Sequence, residues 1–196
     1  EYRWGYQPLT WDDFENIDPD NDSLNNTEEY LTSQWFSDPF RKDVFVEMDI
    51  MGDGPNGEKT YYPENAENLI TTAFNKQNVV FHLDRGSMGG HDILPFNADL
   101  DRSELRELYR EYFLHGDSNN WRRGVFHYGL VIYYGGYTGY TFQPNAFQIS
   151  SVNLEKKLDK QPWLNRDIVY ASCYMHEFGH SFGMFLIPGH NRFSRY

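Results

Sequence analysis

The segment DIVYASCYMHEFGHSF, residues 167–182, carries two patterns at once. Ile168, Ala171, Met175, Phe178 and Phe182 step by three and four, so the spacing predicts a helix whose apolar stripe faces a sheet. His176 and His180 fall one turn apart on the neighbouring stripe, with Glu177 between them. Two imidazoles so spaced can converge on one zinc ion while the intervening carboxylate points toward a bound water. His176 and His180 are therefore candidate zinc ligands and Glu177 the candidate catalytic base. The competing reading is a helix whose histidines are merely hydrogen-bonded, because a bare match of this length arises by chance. A core stripe separate from the histidines, Gly179 and Gly183 to permit close packing and a turn, and a further histidine downstream favour the metal.

Working outward, the rest of the chain supplies a sheet for that helix. VFVEMDIM (44–51) is a run of β-branched and aromatic residues that predicts a buried strand, ended by Gly52, Gly54, Pro55 and Gly57. PENAENLITTAFNKQ (63–77) follows as an amphipathic helix, with Ala66, Leu69, Ile70, Ala73 and Phe74 on one face. NVVFHLD (78–84) is a second strand, and strand, helix, strand in that order implies parallel neighbours joined by a crossover. A glycine-rich loop spans 86–90; SELRELYREYFL (103–114) predicts a short or peripheral helix capped by Ser103; GVFHYGLVIYY (124–134) is a third strong strand. TFQPNAFQIS (141–150) reads as a weaker edge strand that tolerates Pro144. Residues 11–42 are polar and poorly periodic apart from TEEYLTSQWF (27–36), good for one or two helical turns.

Composition narrows the classes. A chain of 196 residues buries one respectable core, so a single domain with an N-terminal extension is expected. A net charge of −12 repels phosphates, which argues against nucleic acid or an anionic membrane as partner, and the Arg122-Arg123 pair is too small a patch to reverse that. One cysteine, Cys173, leaves no intrachain disulfide to form and reads as a small buried hydrophobe. No apolar run reaches transmembrane length, and EYRWGYQ (1–7) lacks the basic start and apolar core of a signal peptide. The aromatic share of 18% favours a folded, sheet-containing protein over a disordered one.

The octet HEFGHSFG (176–183) resembles the signature of the metzincin clan of zinc metallopeptidases, HExxHxxGxxH or a variant ending in Asp. KDVFVEMDIM (42–51), NAENLITTAFNKQNVVFHLDRGSMGG (65–90) and GVFHYGLVIYYGG (124–136) are similar to segments of secreted archaeal and bacterial members, so the resemblance spans most of residues 43–190. It implies an α/β (α+β) fold of zincin type: a twisted mixed sheet with an antiparallel edge strand that holds extended peptide, a backing helix, and an active-site helix ending at a glycine, here Gly183. It also implies an extracellular setting, secreted or at the cell surface, and a protein or peptide substrate. The chain departs from the pattern twice. Three residues beyond Gly183 stands Leu186, which cannot bind zinc; His190 is the only His, Asp, Glu or Cys after Gly183, and Pro188-Gly189 is turn chemistry that lets the chain bulge toward it. His190 is thus the candidate third ligand. The clan's methionine-containing turn lies downstream of that ligand, yet the chain ends six residues after His190. Either residues 43–196 are a catalytic domain lacking its C-terminal part, with 1–42 as an extension, or the site is built differently.

DPDNDSLNNTEE (18–29) places oxygen donors at the spacing of an EF-hand calcium loop. Asp18 takes position 1, Asp20 position 3, Asp22 position 5, Leu24 position 7 through its carbonyl, Asn26 position 9 and Glu29 position 12, with Ser23 where glycine is usual. The stretch also resembles thrombospondin type 3 calcium repeats; the alternative is a solvated acidic linker. Together these features predict a zinc-dependent endopeptidase with Ca²⁺ as a second metal. The alternatives are a catalytically inactive, calcium-stabilised surface or binding protein that keeps the fold, and a zinc hydrolase of non-peptide amides. His82 and His127, in strands, and His91 beside Asp92, in a loop, read as packed or hydrogen-bonded groups.

Overall fold

The computed structural model describes residues 2–7 and 9–183. Their centre is strand β1 (Asp43–Met51), buried on both faces along almost its whole length, which is why it reads as a continuous rather than an alternating apolar run. β1 pairs in parallel with β2 (Val80–Asp84), with the two-residue β3 (Ile93–Leu94) and with β4 (Phe126–Ile132). β4 pairs in parallel with β6 (Ala146–Ser150), and β5 (Gly139–Gln143) runs antiparallel to β6 at the edge. The result is a six-stranded mixed sheet of order β2-β1-β4-β6-β5, accompanied among the described residues by six α-helices.

Helices α2 (Glu64–Asn75), α5 (Ser151–Lys160) and α6 (Arg166–Ser181) cover one face, where Val44, Val46 and Met48 of β1 meet Ile70, Leu154, Tyr170 and Phe178. The opposite face carries α3 (Arg102–Leu108), a π-helical turn over Tyr109–Phe113 and α4 (Arg122–Val125), with Phe45, Tyr128 and Leu130 packed against Leu105 and Phe113. Helix α1 (Asn26–Thr32) belongs to the polar N-terminal segment, yet Leu24 just before it is buried in this second cluster, and Trp35 stacks on Trp121 with ring centroids 6.2 Å apart. Each large side chain fully buried in these clusters contributes roughly 1.5–3 kcal/mol.

The structure corrects the sequence reading in five places. The inward face of α6 is Tyr170, Ala171, Tyr174 and Phe178, while Ile168 and Phe182 are about half exposed. Counting only aliphatic and Phe letters rotated the stripe, because Tyr170 and Tyr174 bury their rings; the Tyr170 hydroxyl donates to Glu155 Oε1 at 2.9 Å. Leu69, on the expected inner face of α2, is partly exposed at its margin, because Ala66, Ile70 and Phe74 form the line that faces the sheet, with Phe74 stacked on Phe81 of β2. Residues 141–150 form a hairpin rather than one edge strand: Pro144, which has no N–H to give, sits in the turn, and Asn145 is fixed there by the Tyr109 hydroxyl at 2.9 Å. Helix α3 is capped by Asp101, not Ser103, and is far from peripheral, because Tyr109 and Phe113 beyond it are buried on Tyr128. Helix α5 was not predicted. Its signals are a Ser150 cap, Leu154 and Leu158 one turn apart, and lysines in the last turn.

Beneath the glycine-rich loop lies a buried ion cluster. Arg122 Nε donates to Glu47 Oε2 at 2.7 Å, Nη2 to Asp84 Oδ2 at 2.7 Å and Nη1 to the Met88 carbonyl at 2.8 Å, and the guanidinium stands 3.9 Å from the Phe126 ring centroid. Asp84 in turn accepts from the backbone N–H groups of Gly86, Met88 and Gly90, so the loop is tied to the end of β2. No helix among the described residues is long and apolar enough to cross a membrane.

Candidate active site

Helix α6 begins where the Asn165 side chain accepts the Ile168 N–H and ends where Gly183 takes φ +75°, a left-handed conformation that costs glycine little. Between these ends it lies against the β5–β6 hairpin. Thr141 Oγ1 donates to the Glu177 carbonyl at 3.2 Å, and Cys173 Sγ lies 3.8 Å from the Thr138 carbonyl. Gly139, on β5, lies directly against Glu177: a Cβ there would stand 2.4 Å from Glu177 Cγ and 2.5 Å from Oε1, displacing the carboxylate.

His176 and His180 project from successive turns with ring centroids 4.8 Å apart and planes at 86°. His180 is buried, whereas the His176 side chain is 39% exposed, so the pair lies at the boundary between core and solvent. Glu177 is 8% exposed, its Oε1 is 3.9 Å from His176 Nε2, and burial pushes its carboxyl up to about 7. Two imidazole nitrogens beside a carboxylate, without a thiolate, form a donor set that suits zinc. The structure therefore brings together His176, Glu177 and His180. His190, the predicted third zinc ligand, lies outside the described residues, as do Leu186 and Met184.

The end of α6 is held from below. His127 Nδ1 is 2.8 Å from Ser181 Oγ, and its ring packs on Phe178 and Phe182 at centroid distances of 5.0 and 4.7 Å. Burial lowers the His127 pKa to about 4, which fits a packed histidine. The unfolded chain takes a proton near pH 6.5 that the folded one refuses, so stability is complete above that pH and falls as pH drops toward 4. The expected loss is on the order of 2 kcal/mol between pH 7 and pH 4.5, and a His127→Phe variant should show a correspondingly flatter dependence of melting temperature on pH.

His82 likewise has a structural partner, Asp43 at 2.6 Å, and His91 Nδ1 lies against the Met48 carbonyl. One cleft opens at the end of α6 and another on the α3 side of the sheet. The first, of about 320 Å³, is lined by Asp22, Ser23, His127, Ser181 and Phe182. The other, of about 410 Å³, lies beside β5 and is lined by Asp99, Asp101, Arg102, Tyr137 and Tyr140.

The acidic N-terminal loop is compact. Asp18 Oδ1 accepts from the N–H groups of Asn21 and Asp22 at 2.8 and 3.3 Å, and Oδ2 from Ser23 at 3.0 Å. Ser23 takes φ +81°, the sharp turn expected at that position. One carboxylate oxygen from each of Asp18, Asp20 and Asp22 lies within 4.8 Å of the others. Asn26 and Glu29 follow on α1, both buried, while Leu24 points its side chain into the core.

Spacing could not reveal Gly139, Thr141 or the His127–Ser181 contact, since each joins α6 to a strand distant in sequence. Arg122, read as half of a small surface patch, is 5% exposed and serves the core instead. No family model, curated protein or solved structure matches the chain.

Proposed function

We propose that the protein is a zinc-dependent endopeptidase of metzincin type, acting outside the cell on proteins or peptides. The observation that carries this reading is the buried Glu177 carboxylate, 3.9 Å from His176 Nε2 on a helix that also presents His180 one turn on, and packed directly against an edge strand. His176 and His180 would hold the zinc ion, with His190 as the third ligand. When bound, zinc supplies a water acidified to near neutral pKa and an electrophile for the scissile carbonyl. Glu177 takes the proton of the attacking water and returns it to the leaving amine. Among the described residues β5 pairs only with β6, so its outer edge can hold an extended substrate backbone beside Glu177. Thr141, bonded to the Glu177 carbonyl, keeps that strand in register with the helix.

The test is metal analysis combined with hydrolysis of denatured casein. One zinc per chain is expected, with activity lost in a chelator and restored by added Zn²⁺, and neither zinc binding nor activity in His180→Ala. A folded protein that binds no zinc sinks the proposal. One that binds zinc but cleaves nothing leaves the inactive binding protein as the correct reading.

A further inference from the structure

The Asp18–Asp20–Asp22 cluster would be an ordinary acidic turn but for the side chains packed behind it. Glu29 is fully buried, and neither of its carboxylate oxygens has a hydrogen-bond partner among the described residues. The nearby Ser37 hydroxyl donates instead to the Glu29 backbone carbonyl, at 2.9 Å. One helical turn earlier, buried Asn26 also leaves its Oδ1 without a partner, and the inner oxygen of Asp20, Oδ2, is a third such atom. The charges of Asp43, Asp22 and Asp20 all bear on Glu29, and Asp22 is tied to Asp43 by the 2.6 Å bond from the Asp43 N–H, so the buried carboxyl and the loop belong to one cluster. Buried oxygens with no donor beside converging carboxylates are unfavourable unless a cation satisfies them.

The geometry points to a calcium site formed by Asp18, Asp20, Asp22, Asn26 and Glu29. All five donors are oxygens, which excludes a preference for zinc, and the number of ligands with the irregular loop suits Ca²⁺ better than octahedral Mg²⁺. The ion has a structural role beyond its own loop. Asp22 Oδ2 accepts the Asp43 N–H at 2.6 Å and the Lys42 ammonium donates to the Asn21 carbonyl at 2.8 Å, so the loop is pinned to the start of β1. Asp22 and Ser23 also form one wall of the cleft whose other wall is Ser181 and Phe182 at the end of α6. Calcium thereby fixes the N-terminal segment as one side of that cleft. None of this depends on the zinc assignment.

The test is calorimetric and thermal titration of the calcium-free full chain with CaCl₂. One saturable site is expected, with a dissociation constant on the order of 10⁻⁴ M or tighter and a rise in melting temperature that Mg²⁺ reproduces poorly. Asp20→Asn and Glu29→Gln should each weaken binding by about tenfold or more. Without calcium, Glu29→Gln should melt no lower than wild type, because it removes a buried charge that then has no counter-ion. That result separates loss of a ligand from general misfolding. Absence of saturable binding up to about 5 mM CaCl₂, or a Glu29→Gln protein that binds as tightly as wild type, overturns the assignment.

Discussion

For the proposed zinc peptidase, Glu177→Gln is expected to lower kcat for peptide hydrolysis by about 10²–10⁴-fold, with KM little changed and zinc still bound. Glutamine has the same shape, so the contact with Gly139 and the path of β5 survive, but its amide cannot accept the water's proton. The same substitution should stabilise the metal-free protein. Burial raises the Glu177 carboxyl from 4.5 to about 7, so ionising it in the fold is unfavourable, and the penalty grows from pH 4.5 until it levels off above pH 7. Removing it raises stability at pH 8 by on the order of 3 kcal/mol and leaves pH 4 unaffected. Steady-state kinetics on the zinc form and denaturation of the metal-free form therefore move in opposite directions. A variant keeping more than about a tenth of wild-type kcat shows that Glu177 is not the base.

Arg122→Met destabilises the fold by about 3–5 kcal/mol, a large fraction of the total stability of a domain this size. The guanidinium is the only cation recorded against Glu47 and Asp84 among the described residues, and both carboxylates are fully buried. Burial already holds Glu47 up to about 8 with the arginine in place, and losing that charge drives it further. A carboxyl raised in the folded state withdraws stability as pH increases, so the defect is larger at pH 8 than at pH 5. Urea denaturation at the two values measures the difference, and adding Glu47→Gln and Asp84→Asn should recover much of the loss. A single variant as stable as wild type at pH 8 rules out the ion cluster as a support of the glycine-rich loop.

Legibility in the sequence followed the range of the interaction. β1, α2, β2, β4 and α6 are written in local periodicity, and α6 ends at Gly183, where a left-handed residue is needed. The spacing of His176, Glu177 and His180, and that of Asp18, Asp20 and Asp22, are likewise local, so each trio is brought together by one helix or one turn. Helix α5 escaped notice because only Leu154 and Leu158 mark its buried face in an otherwise polar segment.

By itself, then, the sequence determined the main elements β1, α2, β2, β4 and α6 and which donors share a turn, because those outcomes depend on neighbours a few residues away. Only the tertiary structure decided what stands opposite each element. Arg122 meets Glu47 across 75 residues, Thr141 meets Glu177 across 36, and Asp22 meets Asp43 across 21. Those pairings follow from the strand order β2-β1-β4-β6-β5, which is set by how two sheet faces bury their apolar surface together. No local pattern encodes that order, since the same alternation of residues would serve a strand at any position within the sheet.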